Sequence, residues 1–315
     1  MIITFVGNFG VSYSSETHHA NTLEALGHQV IRLQEGKASV DEIYNSALGS
    51  NLLVWVHTHG WKTPESGEDT VDNLFKWLEQ HRIPTMTYHL DLWFGINRQS
   101  DLNEDPFYKT IGHFFTVDKL MADWFNENTE VVGHYLQAGV YEPECYIDDS
   151  GGMQNDVIFV GSKFYHKEWQ WRPQLIAWLE ETYGSKFKHF GGDGLGVVRG
   201  EALNQLYKSS KIAVGDSLVL NFDYPYYWSD RVYETLGRGG FMIHPYIKGM
   251  EEHFTDKEHL VYFKFGDFED LKQKIDYYLE HDDEREAIRQ AGHEHVKKNH
   301  TYTNRWQQII KELGL

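Results

Sequence analysis

Glu234 stands in Arg231-Val-Tyr-Glu-Thr-Leu-Gly237-Arg-Gly-Gly240, a polar helical stretch that runs into two glycines and then an apolar strand. A carboxylate near the opening turns of a helix in an α/β unit can accept both hydroxyls of a ribose. Taken alone it reads equally well as a surface glutamate on an amphipathic helix. Gly161-Ser162-Lys163 follows the apolar run Val157–Val160, so its amides stand where a doubly wound sheet meets phosphate, with Lys163 and Arg172 as nearby cations. The plainer reading is a tight strand-to-helix turn with two solvated side chains. Gly7-Asn-Phe-Gly10 follows the first apolar run in the same way. Tyr88-His89-Leu-Asp91-Leu-Trp93 ends another and puts His89 at a strand end, able to donate to a hydroxyl or a developing charge. A structural histidine is the alternative there. The aromatic stretches Leu92-Trp93-Phe94 and Tyr224-Pro-Tyr226-Tyr227-Trp228 offer flat faces for stacking.

Other chemistries find little footing. Eighteen histidines invite a metal reading, yet no His-x-x-x-His or Asp-x-Asp occurs. His57-Thr-His59 converges only at a strand end and lacks a clear third ligand, and the i, i+2 pair His293/His295 diverges on a helix, so no metal is expected. No Gly-x-Ser-x-Gly is present, and the single cysteine, Cys145, falls in a linker. Gly191-Gly-Asp-Gly194-Leu-Gly196 matches a dinucleotide fingerprint only in part, because no helix follows at once; it reads as a flexible loop near the nucleotide edge.

These residues need strands and helices to hold them, and the periodicity supplies both twice over. In the first half strands are expected at 2–6, 28–33, 52–56, 85–89, 113–116 and 131–135. Helices are expected at 16–26, 40–47 and 70–81 and from Asp118. A turn-rich loop runs from Tyr141 to Gly152, and the pattern restarts. Strands follow at 157–160, 186–190, 211–214, 218–221, 241–243 and 260–263, with helices at 169–183, 201–209, around Glu234, and at 268–279, 283–298 and 304–313. Alternation of this kind predicts α/β structure: two Rossmann-like domains, residues 1–147 and 154–300, facing one another across a cleft. Residues 301–315 form a C-terminal helix packing back on the first domain.

The chain has 315 residues, and at roughly 150 residues per domain two domains are the natural division. No apolar run nears the roughly 20 residues that span a bilayer, the first residues lack a signal peptide's basic flank, and one cysteine rules out an internal disulfide. These point to the cytoplasm. A net charge of −18 disfavours bulk nucleic-acid binding without excluding a local basic groove.

With these residues in view, the chain resembles the glycosyltransferases of GT-B fold, specifically the group-1-like transferases that include spore-maturation-type proteins. The likeness is strongest from Asp156 to Arg305, in Asp156-Val-Ile-Phe-Val-Gly161-Ser162, in Arg231 to Gly240, and in His300-Thr-Tyr302-Thr-Asn-Arg305; Tyr88-His89-Leu-Asp91-Leu and Gln137-Ala-Gly139-Val140 match earlier family segments. The resemblance implies a second domain that binds a nucleotide-sugar, UDP-sugar favoured, and a first that binds a hydroxyl acceptor. Glu234 matches the ribose carboxylate, Gly161 and Ser162 the phosphate loop, and His89 the residue near the transferred sugar. Lys163, Arg172 and above all Arg231 fall to the leaving diphosphate. Gly10 joins the donor side, and His18, Asp91 and Trp93 the acceptor side. Relatives often carry a glutamate eight positions before the ribose carboxylate; here that residue is Tyr226, which passes the sugar hydroxyls to backbone amides or to Asp223. The implied reaction is retaining and needs neither cofactor nor metal. Hydroxymethylated DNA is an alternative acceptor, and an inactive sugar-nucleotide-binding module an alternative role.

Overall fold

A computed structural model describes residues 1–148 and 152–315; Asp149-Ser-Gly151 of the expected linker loop lie outside the described residues. The chain forms two compact units, Met1–Gln137 with Tyr302–Leu315, and Ala138–Thr301.

Unit 1 runs β1 (Ile2–Gly7), α1 (Ser15–Ala25), β2 (Gln29–Gln34), α2 (Val40–Ala47), β3 (Leu52–Trp55), α3 (Val71–Gln80), β4 (Thr85–His89), α4 (Asp101–Glu104), α5 (Phe107–Thr110), β5 (His113–Thr116), α6 (Lys119–Asn128) and β6 (Val132–Tyr135). All its strands pair in parallel, in the order β2-β1-β3-β4-β5-β6. A parallel sheet covered by helices on both faces buries its strands on both sides, and β3 and β4 are buried along their whole length. Helix starts follow capping chemistry legible in the sequence. Ser14, Thr70 and Asp118 accept from amides of the first turn, and Ser39 with Glu42 closes a reciprocal capping box. The short α4 and α5, with a 3-10 turn at Asn97–Ser100, have no counterpart in the periodicity because each is too brief to show one.

Unit 2 runs β7 (Asn155–Val160), α7 (Trp171–Tyr183), β8 (Phe187–Phe190), α8 (Glu201–Lys208), β9 (Ser210–Val214), α9 (Arg231–Gly237), β10 (Met242–Pro245), β11 (Val261–Phe263), α10 (Phe268–Glu280) and α11 (Asp282–Asn299). Its sheet is again parallel, in the order β11-β10-β9-β7-β8. The strand expected at Leu218–Asn221 is not formed. β9 already has β7 and β10 on its two sides, and the chain there turns through a 3-10 segment with Asn221 and Phe222 in the left-handed region, φ 56° and 60°. An apolar run is not a strand when its backbone cannot stay extended.

The last helix, α12 (Tyr302–Leu313), packs against α1 within unit 1. Trp306 is buried there and donates Nε1–H to His19 Nδ1 at 3.2 Å, while the His19 ring stacks on Tyr302. Arg305 Nε and Tyr88 OH both donate to the carbonyl of Gln137, at 2.7 and 2.5 Å. These bonds tie the C-terminal helix to the end of the first run of the chain.

Candidate active site

The strand order locates the sites before any side chain is considered. In unit 2 the chain leaves β7 for β8 on one side and returns to β9 on the other, so the carboxyl ends of β7 and β9 flank the point where strand order reverses, the usual crevice for ligands in open α/β sheets. Gly161 and Ser162 leave β7 there, Gly161 with φ 150° and its amide on the Phe190 carbonyl at 2.8 Å. Arg172, on α7, donates Nε–H to Asp216 Oδ2 at 2.8 Å and Nη1–H to the Ser162 carbonyl at 3.2 Å. Asp216 lies just beyond β9 and also accepts from Trp169 Nε1 at 2.9 Å. Arg172 therefore bridges the two loops of the crevice. Burial pushes the Asp216 carboxyl up, and Arg172 and Trp169 oppose it.

The amides of Lys163 and Phe164 are not open to a phosphate. Both donate to the Asp193 carboxylate, at 2.8–3.2 Å, from the loop that follows β8. Partial burial works against ionisation of Asp193, but these amides hold it below the usual carboxylate range. Gly191 lets the two loops meet: a Cβ there would stand 2.4 Å from the Gly161 carbonyl oxygen. The loop Gly191–Gly196 is thus a hydrogen-bonded turn, with Leu195 N on His189 O and Gly194 N on Gly191 O.

Glu234 sits in the first turn of α9, with Oε2 accepting from Arg231 Nη1 at 2.6 Å; both side chains are about a quarter exposed. The approach to α9 is fixed from below. Ser217 Oγ accepts from Ser229 N at 2.9 Å and donates to His244 Nε2 at 3.0 Å, His244 donates Nδ1–H to the Pro245 carbonyl, and Ser229 Oγ accepts from Arg231 N. Burial lowers His244 to about 4, keeping it neutral. Asp223 is exposed in the same loop, while Tyr226, at φ 56°, turns its hydroxyl to Glu252 at 2.9 Å. Tyr227 and Trp228 are buried and offer no stacking face. Gly161, Ser162, Lys163, Arg172, Asp223, Arg231 and Glu234 share one sheet edge, whereas Gly10 belongs to unit 1, where its amide bonds Asn8 Oδ1 at 3.2 Å.

In unit 1 the reversal lies between β1 and β3. Glu35, past β2, is buried and accepts from Trp55 Nε1 at 2.9 Å, Thr58 N at 2.8 Å and His57 Nδ1. The other nitrogen of His57 donates to Asp105 Oδ2 at 3.0 Å. Burial would lower this imidazole, but its two carboxylates outweigh burial and raise it to about 9. His59 is half-exposed and pairs with Asp101, so the two histidines diverge onto different carboxylates. His89 is buried against Phe114, Trp93 and Tyr108. His89 Nε2, Trp93 Nε1 and Tyr108 OH are buried without hydrogen-bond partners. Burial, with the charge of His57, lowers His89 to about 3. Trp93, expected as a stacking face, is a core residue 1% exposed, because α4 and α5 cover it. Asp91 pairs with Arg98 at 3.0 Å, and His18 is half-buried on α1.

Residues 170–311 match the family described as glycosyl transferase-like. That match covers a little under half of the chain, and the fold of the whole is that of GT-B glycosyltransferases. No curated protein matches its sequence. Among solved structures, an alpha-glucosyltransferase in complex with UDP-glucose and DNA containing an abasic site is similar at TM-score 0.70 and 11% identity, covering 100% of this chain and 99% of that one. HepE of Anabaena in complex with UDP-glucose gives TM-score 0.68 and 13% identity over 100% and 99%. Sucrose-phosphate synthase of Thermosynechococcus elongatus gives 0.63 and 10% over 99% and 99%.

Among the described residues, no group of three or more His, Cys, Asp and Glu is placed to hold a metal ion, and no helix is long and apolar enough to cross a membrane. Sequence reasoning passed over Asp193, Asp216, Ser217 and His244 in unit 2, and Glu35, Asp101 and Asp105 in unit 1. The signal for Asp193 was present in its glycine-rich setting; the others are single polar residues whose partners lie far along the chain.

Proposed function

We propose that this glycosyltransferase moves a hexosyl unit from a UDP-sugar to a hydroxyl acceptor, with retention and without a metal. The observation that carries the reading is the strand-order reversal between β7 and β9, with the Gly161-Ser162 turn following one strand and the helix that carries Glu234 following the other. Support comes also from the solved structures of like fold that hold UDP-glucose. In this reading the ribose hydroxyls bind Glu234 and share its carboxylate with Arg231. Arg231, Arg172 and Lys163 stabilise the negative charge that grows as the bond between the anomeric carbon and the phosphate oxygen breaks. The electron pair goes to that oxygen, the acceptor oxygen bonds the anomeric carbon on the same face, and the departing diphosphate takes the acceptor's proton. His89, held neutral by burial, is the hydrogen-bond donor that this reading assigns to unit 1. Asp223 and backbone amides take the sugar hydroxyls that a glutamate at position 226 would otherwise meet.

The test is UDP release from UDP-glucose and the anomeric configuration of the glucoside formed with an acceptor panel, with and without EDTA. The reading expects retained configuration and an unchanged rate in EDTA; an inverted product removes retention, and loss of activity in EDTA removes metal independence. A hydroxymethylated base in DNA is a second acceptor reading, favoured by the DNA complex of the alpha-glucosyltransferase and opposed by the net charge of −18. Absence of transfer to hydroxymethylated duplex DNA at both low and high salt removes it.

A further inference from the structure

Unit 2 has a cavity of about 770 Å³ that the donor reading does not use. It opens at the carboxyl ends of β10 and β11, which stand beyond β9 from β7 and so one and two strands away from the reversal point. Phe222, Tyr246 and Phe265 supply aromatic surface, the rings of Phe254 and Tyr262 are buried in the wall, and Glu251, Asp256 and Lys264 supply charge. Phe222 and Tyr246 are 45% and 44% exposed. Phe222 is held outward by two successive left-handed residues, Asn221 and itself, a conformation that bulky side chains avoid unless their surroundings enforce it. Trp169, Trp171 and Phe265 enforce it here, each meeting the Phe222 ring at 5.1–5.9 Å between centroids.

We propose that this pocket is a second carbohydrate site, separate from the donor site, that holds a short stretch of neutral glycan. Its size lies within the few hundred to about 1,000 Å³ of small-ligand pockets, and its exposed ring faces suit the C–H faces of pyranoses. Two carboxylates against one ammonium repel phosphorylated and polyanionic ligands. An acyl chain would strip water from those carboxylates and offer no donor in its place, which is costly. Sugar hydroxyls avoid that cost. Glu251 already accepts from Gly249 N and Asp256 from Tyr262 N, each at 2.8 Å, and a carboxylate's two oxygens together accept more than one such bond. A site of this kind gives an enzyme of this class a grip on a glycan away from the reacting sugar.

The experiment is calorimetric titration of the full chain with maltotriose, cellotriose and triacetylchitotriose in saturating UDP. At least one trisaccharide is expected to bind saturably, and Tyr246→Ala and Phe222→Ala each to weaken it by up to about tenfold. Tyr246→Ala is expected to leave UDP affinity and acceptor-free UDP release unchanged. Trisaccharide binding that UDP abolishes belongs to the donor site and overturns the proposal. So does binding that both substitutions leave intact, absence of binding by all three sugars, or displacement by decanoate. UDP affinity, read separately, shows whether the donor reading itself has failed.

Discussion

The two units place a strand-order reversal in the same kind of parallel sheet and finish it in opposite ways. Unit 2 ends β7 and β9 in glycine-rich and polar loops whose cations are already paired but partly exposed: Arg231 on Glu234, Arg172 on Asp216. Unit 1 closes its edge with α4 and α5, which bury Trp93 and Tyr108 against His89 and clamp His57 between Glu35 and Asp105. One edge presents charge, and the other stores it. The difference teaches that topology marks where a site can be, while the loops decide whether polar groups face a ligand or each other.

The comparison breaks most visibly at Glu35. Removing one partner of a buried ion pair costs about 3–5 kcal/mol, because the remaining charge stays buried and uncompensated. Glu35→Gln leaves the His57 charge with Asp105 alone, so unit 1 should lose stability of that order in denaturant titration. Hydrogen exchange should show the loss in peptides of unit 1, including β3 and the segment 97–110. Equal loss of protection in unit 2 peptides would show that the stored charge supports the whole chain rather than its own edge.

Next in size is the pH response. His57 is raised in the folded state, so its contribution is fully present below its unfolded value near 6.5 and is lost as pH climbs through about 9. Converting that shift gives about 3 kcal/mol. His19 and His89 are lowered to about 3 by burial, so their contributions are present above about 6.5 and are lost as pH falls toward 3. Unit 1 should therefore be most stable near pH 6.5 and weaken on both sides. In unit 2, His244 is lowered to about 4 and contributes an acid limb alone. Hydrogen exchange across pH 5–9 checks this after correction for intrinsic rates, and His57→Asn should abolish the alkaline limb in unit 1.

On the open edge, Glu234→Ala should leave the fold intact, since the side chain is partly exposed and pairs with Arg231 on the same helix. Hydrogen bonds to a charged group contribute about 1.5–3 kcal/mol, so UDP affinity should fall by tenfold to about a hundredfold in calorimetry. Glu234→Gln should recover part of it. Unchanged UDP binding in the alanine variant removes Glu234 from the donor site.

Much of this architecture was readable from the chain. The strands of unit 1 and the capped helices declare themselves because burial and capping are local. The run Leu218–Asn221 misled because its apolar residues pack in a turn whose left-handed backbone no hydropathy pattern records. Trp93 misled because what covers it, α4 and α5, has too few residues to show a period. Glu35, His57 and Asp105 stayed hidden for another reason: the partners lie 22 and 48 residues apart along the chain, and nothing local announces a contact made only by the sheet.

The smallest expected effect is the most discriminating about the phosphate turn. Asp193 places a carboxylate on the amides of Lys163 and Phe164, beside the turn that the donor diphosphate is proposed to meet. It orders the turn and at the same time sets a negative charge against an incoming one. Asn at this position keeps an acceptor for one amide and removes the charge, so Asp193→Asn should raise UDP affinity by a few-fold, roughly 0.5–1 kcal/mol, at low ionic strength. The gain should fade in high salt if repulsion is its source. A loss of affinity that salt does not alter would instead make Asp193 the builder of the turn, and would bring the open edge of unit 2 closer to the clamped edge of unit 1, where the buried Glu35 carboxylate fixes the Thr58 amide.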